Sequence, residues 1–236
     1  MSLLLSGSGH TGEGVAIEQR VDTPIGSGFG ASGAAATSAV YAVASALGIR
    51  APKSDLAKFA HRAEILEQTG LGTVSVVYDH IGAGAITVAG EPGTARFVAV
   101  KVPRETRLVT ACFAPYDKKD ALSSSKMKEK INRLGSRALA RFLSDPKLDS
   151  LAAEGESFSR GLGLESPEVK KAIRTAMSAG AAHASQNMIG YSVHSLVDID
   201  RAPKVSKALA ALGREVRVDV FEVGRTNAGV LRPSRR

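Results

Sequence analysis

The stretch that decides the fold reads Pro24-Ile25-Gly26-Ser27-Gly28-Phe29-Gly30-Ala31-Ser32-Gly33, and an alanine-rich run over residues 34–47 follows it directly. Its four glycines leave backbone N–H groups unshielded by side chains. Since the alanine-rich run predicts a helix, a helix N-terminus follows the glycine-rich turn. Such a turn and the helix dipole together form a site suited to a phosphate group. The alternative is a tight turn whose small residues let the helix pack closely against a sheet.

Two familiar phosphate-binding loops fit this stretch poorly. The spacing Gly28-x-Gly30-x-x-Gly33 matches the dinucleotide-binding fingerprint, but that fingerprint requires a second strand ending in an acidic residue about 20 residues later. Residues 48–56 read instead as a loop and a helix start. The Walker loop requires Gly-Lys-Ser/Thr, and no Gly-Lys pair occurs in the sequence. The first loop is therefore disfavoured and the second is excluded.

A third phosphate loop fits better. The pattern Pro-x-Gly-x-Gly-Phe-Gly-x-Ser-Gly-Ala over residues 24–34 resembles the phosphate loop of the GHMP kinases, and more closely that of their archaeal pantoate kinase branch. Further stretches carry the same resemblance: Ala-His-Arg-Ala-Glu (60–64) with Thr-Gly-Leu-Gly (69–72), Lys-Glu-Lys-Ile-Asn-Arg (128–133), and Ala-Gly-Ala-Ala-His-Ala-Ser-Gln-Asn-Met-Ile-Gly (179–190). The resemblance extends from about residue 21 to residue 230.

The resemblance implies an α+β fold of two lobes with the site in the cleft between them. The expected N-terminal lobe, residues 1–103, is of the ribosomal-S5-like type and binds phosphate. The expected C-terminal lobe, residues 104–236, is ferredoxin-like. The implied activity is phosphorylation of the primary hydroxyl of pantoate to 4-phosphopantoate, on the archaeal route to coenzyme A, with ATP and Mg²⁺ as cofactors.

The resemblance also assigns site residues. The expected contacts to the ATP phosphates come from the glycine-rich stretch, namely Gly26, Ser27, Gly28, Phe29, Gly30, Ala31, Ser32 and Gly33. Ser32 and Glu64 are the expected Mg²⁺ ligands, since both offer hard oxygen atoms. Thr73 stands where the branch carries its catalytic aspartate. The residues expected to line the substrate cleft are Gly180, His183 and Ser185.

Two departures from the family pattern bear on activity. Only 23 residues precede Pro24, whereas family members carry a longer N-terminal portion, so the first lobe is expected to be truncated. Thr73 replaces the expected aspartate, and Asp79 is a poor substitute because it lies roughly 240° further round a helix. The alternative is therefore a non-catalytic family member that binds nucleotide or a partner chain.

Composition limits the partners. The sequence contains 31 Lys and Arg residues and 23 Asp and Glu residues. The resulting net charge of +8 suits an anionic ligand or nucleic acid. Aromatic residues make up only 5% and Trp is absent, which disfavours nucleic acid. The basic stripe of the helix predicted over residues 122–143 is interpreted as a solvated face, with an anion site as the alternative; its members are Lys126, Lys130, Arg133, Arg137 and Arg141.

The sequence contains no apolar run that could span a membrane and only one cysteine, Cys112. These features predict a soluble cytoplasmic protein without a disulfide framework. The five histidines lack metal-ligand spacing. The expected ligands are ATP and a pantoate-like hydroxy acid, and a homodimer is one of the assemblies left open.

Periodicity predicts the secondary structure. Strands are expected at residues 15–21, 73–78, 96–102, 107–114 and 216–223. Helices are expected at residues 34–47, 122–143, 147–161 and 203–212, with two more beginning near Ser54 and at Pro167. The boundary between the lobes is expected near Pro103.

Overall fold

A computed structural model describes residues 1–67, 69, 72–79, 82–113, 124–188, 190–225 and 229. The elements of the first part are α1 (Ser2–Gly7), α2 (Ala31–Ala46), α3 (Lys53–Leu66), α4 (Thr73–Asp79), β1 (Ala83–Val88) and β2 (Arg96–Val100). Those of the second part are β3 (Thr106–Cys112), α5 (Ser125–Ser144), α6 (Leu148–Leu162), α7 (Pro167–Ala179), β4 (His183–Gln186), β5 (Ser192–Asp198), α8 (Ala202–Ala210) and β6 (Arg217–Glu222).

The first part is a helical layer beside an antiparallel hairpin. Strands β1 and β2 pair with each other, with Ala83 opposite Val100. Helix α2 packs against α3 and α4, and its small residues allow the close approach. The buried side chains that hold these helices together are Leu4, Val40, Tyr41, Val43, Ala44, Leu56, Ala57, Ala60 and Val74.

The second part contains a four-stranded antiparallel sheet in the order β4-β5-β3-β6. Helix α7 precedes β4, helix α8 connects β5 to β6, and both helices bury apolar residues against one face of the sheet. This order and these helices are those of a ferredoxin-like lobe, as predicted. The core contains Val109, Val169, Val193, Val197, Val205 and Leu209, each at most 2% exposed.

The other face of this sheet is polar. Because alternate residues of a strand share a face, the cross-strand register fixes which side chains lie together. One row across the sheet contains Ser185, His194, Thr110 and Asp219, and the next contains Ser192, Cys112 and Arg217. Burial raises the pKa of the Cys112 thiol and lowers the pKa of His194.

Two strand predictions in the first part are wrong. Residues 15–21 form no regular secondary structure, and residues 73–78 lie in helix α4. The β-branched run favours a strand locally, but Val74 and Tyr78 pack four residues apart against the α2–α3 core, which is helical spacing. Strand β1 was not predicted, because its first residues, Ala83-Gly84-Ala85, carry little strand preference.

Helix α1 and strands β4 and β5 were likewise not predicted, whereas the other described elements lie close to their predicted positions. Ser124 caps α5 through its hydroxyl, whereas residues 114–123 and the basic tail over residues 231–236 lie outside the described residues. In the basic stripe of α5, Lys130 donates to the Leu162 carbonyl and Arg141 pairs with Glu154. The other members, Lys126, Arg133 and Arg137, are exposed. The stripe is therefore largely a solvated face.

Strands β2 and β3 lie on either side of Pro103 and belong to different sheets. A domain boundary near that residue stays a prediction. Within the described residues, every helix is too short or too polar to cross a bilayer.

The cap of helix α7 offers a test of this lobe. The Ser166 hydroxyl accepts the N–H of Val169 at 3.2 Å, and Pro167 occupies the first turn. We expect Ser166→Ala to lower the free energy of unfolding by about 1 kcal/mol, because one N–H of the first turn loses its acceptor. Urea titration followed by circular dichroism measures the change. Ser166→Asp, which retains an acceptor, serves as the control, and equal stability of the two variants contradicts the capping role.

Candidate functional site

The glycine loop, residues 24–33, adopts a backbone that side chains disfavour. Gly26, Gly28 and Gly30 have φ angles of 79°, 84° and 72°, in the left-handed region where glycine carries no steric penalty. Gly30 is the N-cap of the 16-residue helix α2, and no side chain caps that helix. The first N–H groups of α2 have no partner within the helix, so they are available to an anion.

Glu64 and Thr73 form one wall of the glycine loop. A Cβ atom added to Gly33 would lie 2.8 Å from Oε1 of Glu64 and 2.7 Å from Cγ2 of Thr73. The same Cγ2 atom would lie 2.7 Å from a Cβ atom on Gly30. The structure thus brings both predicted residues to the start of α2.

The carboxylate of Glu64 is almost completely buried, with 1% of the residue exposed. Its Oε2 atom accepts the N–H of Val74 at 3.1 Å, which joins α3 to the first turn of α4. Its Oε1 atom has no hydrogen-bond partner among the described residues. Buried carboxylate oxygens are normally satisfied, so this atom is a candidate ligand for a cation.

The described residues of the β4–β5 turn (187, 188, 190 and 191) form the opposite wall. A Cβ atom on Gly28 would overlap the carbonyl of Asn187, and one on Gly190 would overlap the carbonyl of Ser27. The Ser192 hydroxyl donates a short hydrogen bond to the Ser27 carbonyl. The glycine loop therefore lies between α3–α4 on one side and the ferredoxin-like sheet on the other.

A second contact joins the sheet to the segment before the glycine loop. Arg217 on β6 donates to the backbone carbonyl of Asp22 at 2.7 Å and to the carboxylate of Asp219. Proximity to Asp219 raises the pKa of the Arg217 guanidinium. Arg217 therefore stays charged while it holds the approach to the glycine loop.

The remaining predicted residues lie at several places. Ser32 is exposed in the first turn of α2, and Phe29 is half-buried. Ser185 lies opposite His194 on the polar face of the sheet. His183 lies at the start of β4, where Nδ1 is 3.0 Å from Oε1 of Glu156. Gly180 ends α7 and packs against Arg201. It lies near the start of β4, whereas Asn187 follows the end of that strand.

Three residues at the glycine loop were not singled out from the sequence: Asn187, Gly190 and Ser192. Asn187 and Gly190 belong to the stretch 179–190 that carries the family resemblance, but the residue types do not show which end of that stretch meets the loop. Ser192 follows two residues later and matches no motif. Only the β4–β5 register brings these residues to the loop.

A separate cavity of about 610 Å³ opens between the ends of β2 and β6. Lys101, Arg104 and Arg225 are among its lining residues, and none of the glycine-loop residues is. This cavity is therefore distinct from the candidate site.

The glycine loop and the carboxylate of Glu64 lie together at the start of α2 and form the candidate site. Residues 2–78 match the family model described as the GHMP kinases N terminal domain. This match covers about a third of the chain, and the solved structures described below share the two-lobed fold.

Known proteins resemble the chain over most of its length. A curated pantoate kinase of Methanospirillum hungatei JF-1 is 28% identical over 181 residues, which cover 76% of this chain and 58% of that protein. A solved structure described as a phosphotransferase related to the CoA biosynthesis pathway has a TM-score of 0.75 and 23% identity, covering 87% of this chain and 66% of that one. A homoserine kinase of Cytophaga hutchinsonii has a TM-score of 0.59 and 20% identity, covering 88% and 68%. The chain thus spans less than two thirds of the first two relatives.

The contact between Thr73 and Gly30 can be tested by a double-mutant cycle. We expect Gly30→Ala to destabilise the protein, both because its φ is positive and because the new methyl group meets Cγ2 of Thr73. In the Thr73→Ser background the second cost disappears, so the coupling energy should be about 1 kcal/mol. Thermal and urea unfolding measure it.

Gly48→Ala is the matched control, because Gly48 also has a positive φ but has no atom within 4 Å of an added Cβ. Its cost should be the same in both backgrounds. A coupling energy at Gly30 no larger than that at Gly48 contradicts the placement of Thr73.

Proposed function

We propose that this chain is an ATP-dependent phosphotransferase acting on the primary hydroxyl of pantoate or a closely similar hydroxy acid. The observation that carries the proposal is the buried, unpartnered Oε1 atom of Glu64 at the glycine loop, beside Thr73. A carboxylate aimed at a helix N-terminus suits a cation that bridges to phosphate, because the helix end itself favours the anion.

In this proposal the glycine loop binds the phosphates of ATP. The N–H groups of residues 26–33 donate to phosphate oxygens, and the absence of side chains at Gly26, Gly28, Gly30 and Gly33 lets the phosphates approach the backbone. Phosphoryl transfer depends mainly on positioning and on charge stabilisation, which the N–H groups of this loop would supply.

The residues present fit Mg²⁺. The proposed ligands are Oε1 of Glu64 and the hydroxyl of Ser32, with nucleotide oxygens and water completing the shell. No group of three or more His, Cys, Asp or Glu within the described residues could hold a metal alone, which agrees with a cation bound through the nucleotide. When bound, the ion would neutralise charge on the transferring phosphoryl group.

The choice of acceptor rests on the relatives. The curated relative is a pantoate kinase, and one of the solved relatives is described as a phosphotransferase of the CoA pathway. Ser185, one of the residues expected to line the substrate cleft, lies opposite His194 on the polar face of the sheet. His183 lies at the start of β4, and Gly180 lies at the end of α7, just before that strand. A cytoplasmic location suits such an enzyme.

Thr73 supports a second candidate function. Its hydroxyl can hydrogen-bond an acceptor hydroxyl but cannot take the proton at neutral pH. A protein that binds nucleotide without transferring phosphate is therefore the alternative, and the next experiment separates the two.

We expect slow formation of ADP from ATP, Mg²⁺ and pantoate by the natural chain, and a rise of roughly 10²- to 10⁴-fold in kcat on Thr73→Asp. The gain arises because the carboxylate supplies a general base beside Glu64 and the glycine loop. A coupled ADP assay measures it, with an active pantoate kinase run in parallel. Thr73→Asn is the control, since it has the shape of aspartate without its charge.

Two results contradict parts of this proposal, the first the kinase activity itself and the second the general-base role of a carboxylate at residue 73. One is nucleotide binding without ADP release in both the natural chain and Thr73→Asp, which supports the non-catalytic alternative. The other is an equal gain on Thr73→Asn, which shows that the charge at this position has no part in the reaction.

A further inference from the structure

We propose that Ser192 is a positioning residue for the nucleotide. The Asn187 relay, formed by His194, Asn187, Ser192 and the Ser27 carbonyl, locks the orientation of the Ser27–Gly28 peptide. The inference rests on the proposed function in taking the glycine loop as the nucleotide site.

The relay is continuous and protected from water. Nδ1 of His194 lies 2.6 Å from Oδ1 of Asn187, and Nδ2 of Asn187 lies 2.8 Å from Oγ of Ser192. The Ser192 hydroxyl then donates to the carbonyl of Ser27, which lies 165 residues earlier in the sequence. Ser27 and Ser192 are fully buried, and Asn187 is 9% exposed.

The proton positions follow from the last member of the relay. A carbonyl oxygen can only accept, so the Ser192 hydroxyl must donate its proton to Ser27. Ser192 then accepts from Asn187, which places the NH₂ group of Asn187 toward Ser192 and its oxygen toward His194. His194 must therefore carry its proton on Nδ1. Each bond fixes the direction of the next, and every donor points toward the glycine loop.

The consequence for the glycine loop comes from peptide geometry. The structure has no cis peptide among the described residues, and in a trans peptide the C=O and N–H groups point in opposite directions. With the Ser27 carbonyl held toward β5, the N–H of Gly28 points away from β5, into the loop.

Gly28 would otherwise permit the reverse orientation. Glycine adopts positive and negative φ about equally well, so the Ser27–Gly28 peptide could rotate at little steric cost. Rotation would turn a carbonyl oxygen, instead of an N–H, toward a bound phosphate. The Ser192 hydroxyl opposes this rotation, and the Asn187 carbonyl, which packs against Gly28, adds a second restraint.

Strand β5 supplies a matched control. Ser192 and Ser195 are both fully buried, but they lie on opposite faces of the sheet, and the hydroxyl of Ser195 has no partner among the described residues. Replacing either serine with alanine removes one buried hydroxyl, and only Ser192→Ala releases the glycine loop.

The test combines amide hydrogen exchange without nucleotide and calorimetric titration with Mg²⁺–ATP. For Ser192→Ala we expect about tenfold faster exchange in the peptide covering residues 26–30 and about tenfold weaker Mg²⁺–ATP binding, as loss of one buried hydrogen bond implies. KM for ATP should rise likewise, while KM for the acceptor changes less than twofold. Ser195→Ala should match the natural chain in all four measurements. Asn187→Ala, at a more exposed position, replaces Ser192→Ala if the latter fails to fold.

The outcomes separate this inference from the proposed function. If the natural chain binds Mg²⁺–ATP and the two serine variants bind it equally, the positioning role is overturned and the proposed function stands. If the natural chain does not bind Mg²⁺–ATP, the proposed function fails. In that case, faster exchange in Ser192→Ala but not in Ser195→Ala supports the restraint on the glycine loop. Equal exchange in both variants overturns it.

Discussion

The close packing of backbone and side chains around the glycine loop joins the two parts of the structure. Glu64 and Thr73 meet the loop at Gly33, and the β4–β5 turn meets it at Gly28. Neither contact leaves room for a Cβ atom. Two lobes with separate cores are thereby joined through a segment in which the residues at the contacts are glycines, so backbone approaches backbone there.

Charge in this region is arranged around the same loop. A buried carboxylate with one free oxygen is costly, because burial without a full set of partners disfavours a charged group. Glu64 reduces that cost by accepting the N–H of Val74 and by its position at the first turn of α4. The remaining oxygen is directed at the start of α2, where a bound cation and a bound phosphate would neutralise each other's charge. On the opposite side Arg217 holds the Asp22 carbonyl, so both lobes contribute charged groups to the position of the loop.

Sequence patterns predicted the parts of the site that are local or shared with a known family. Gly28, Glu64 and Thr73 could be placed together because the glycine-rich stretch and the Ala-His-Arg-Ala-Glu stretch carry a recognisable resemblance. The start of helix α7 could be predicted because Ser166 and Pro167 are local start signals. The ferredoxin-like lobe was likewise expected from the resemblance, and the strand order confirms it.

Tertiary contacts explain both the wrong strand prediction and the site residues that the sequence patterns missed. Residues 73–78 look like a strand, but the hydrogen bond from Val74 to Glu64 and the packing of Val74 stabilise a helix there. The contact between Ser27 and Ser192 joins residues far apart in the chain, and a serine in a strand carries no local sign of its partner.

We propose that Glu64 holds the cation that accompanies a bound nucleotide. Calorimetric titration of ATP with and without Mg²⁺, for the natural chain and for Glu64→Gln, tests it most directly. Glu154→Gln is the control, since Glu154 pairs with Arg141 on the surface helices away from the glycine loop. We expect Mg²⁺ to strengthen ATP binding to the natural chain and to Glu154→Gln. Glu64→Gln should lose this gain while its Mg²⁺-free affinity stays the same. An equal gain from Mg²⁺ in Glu64→Gln would contradict the claim.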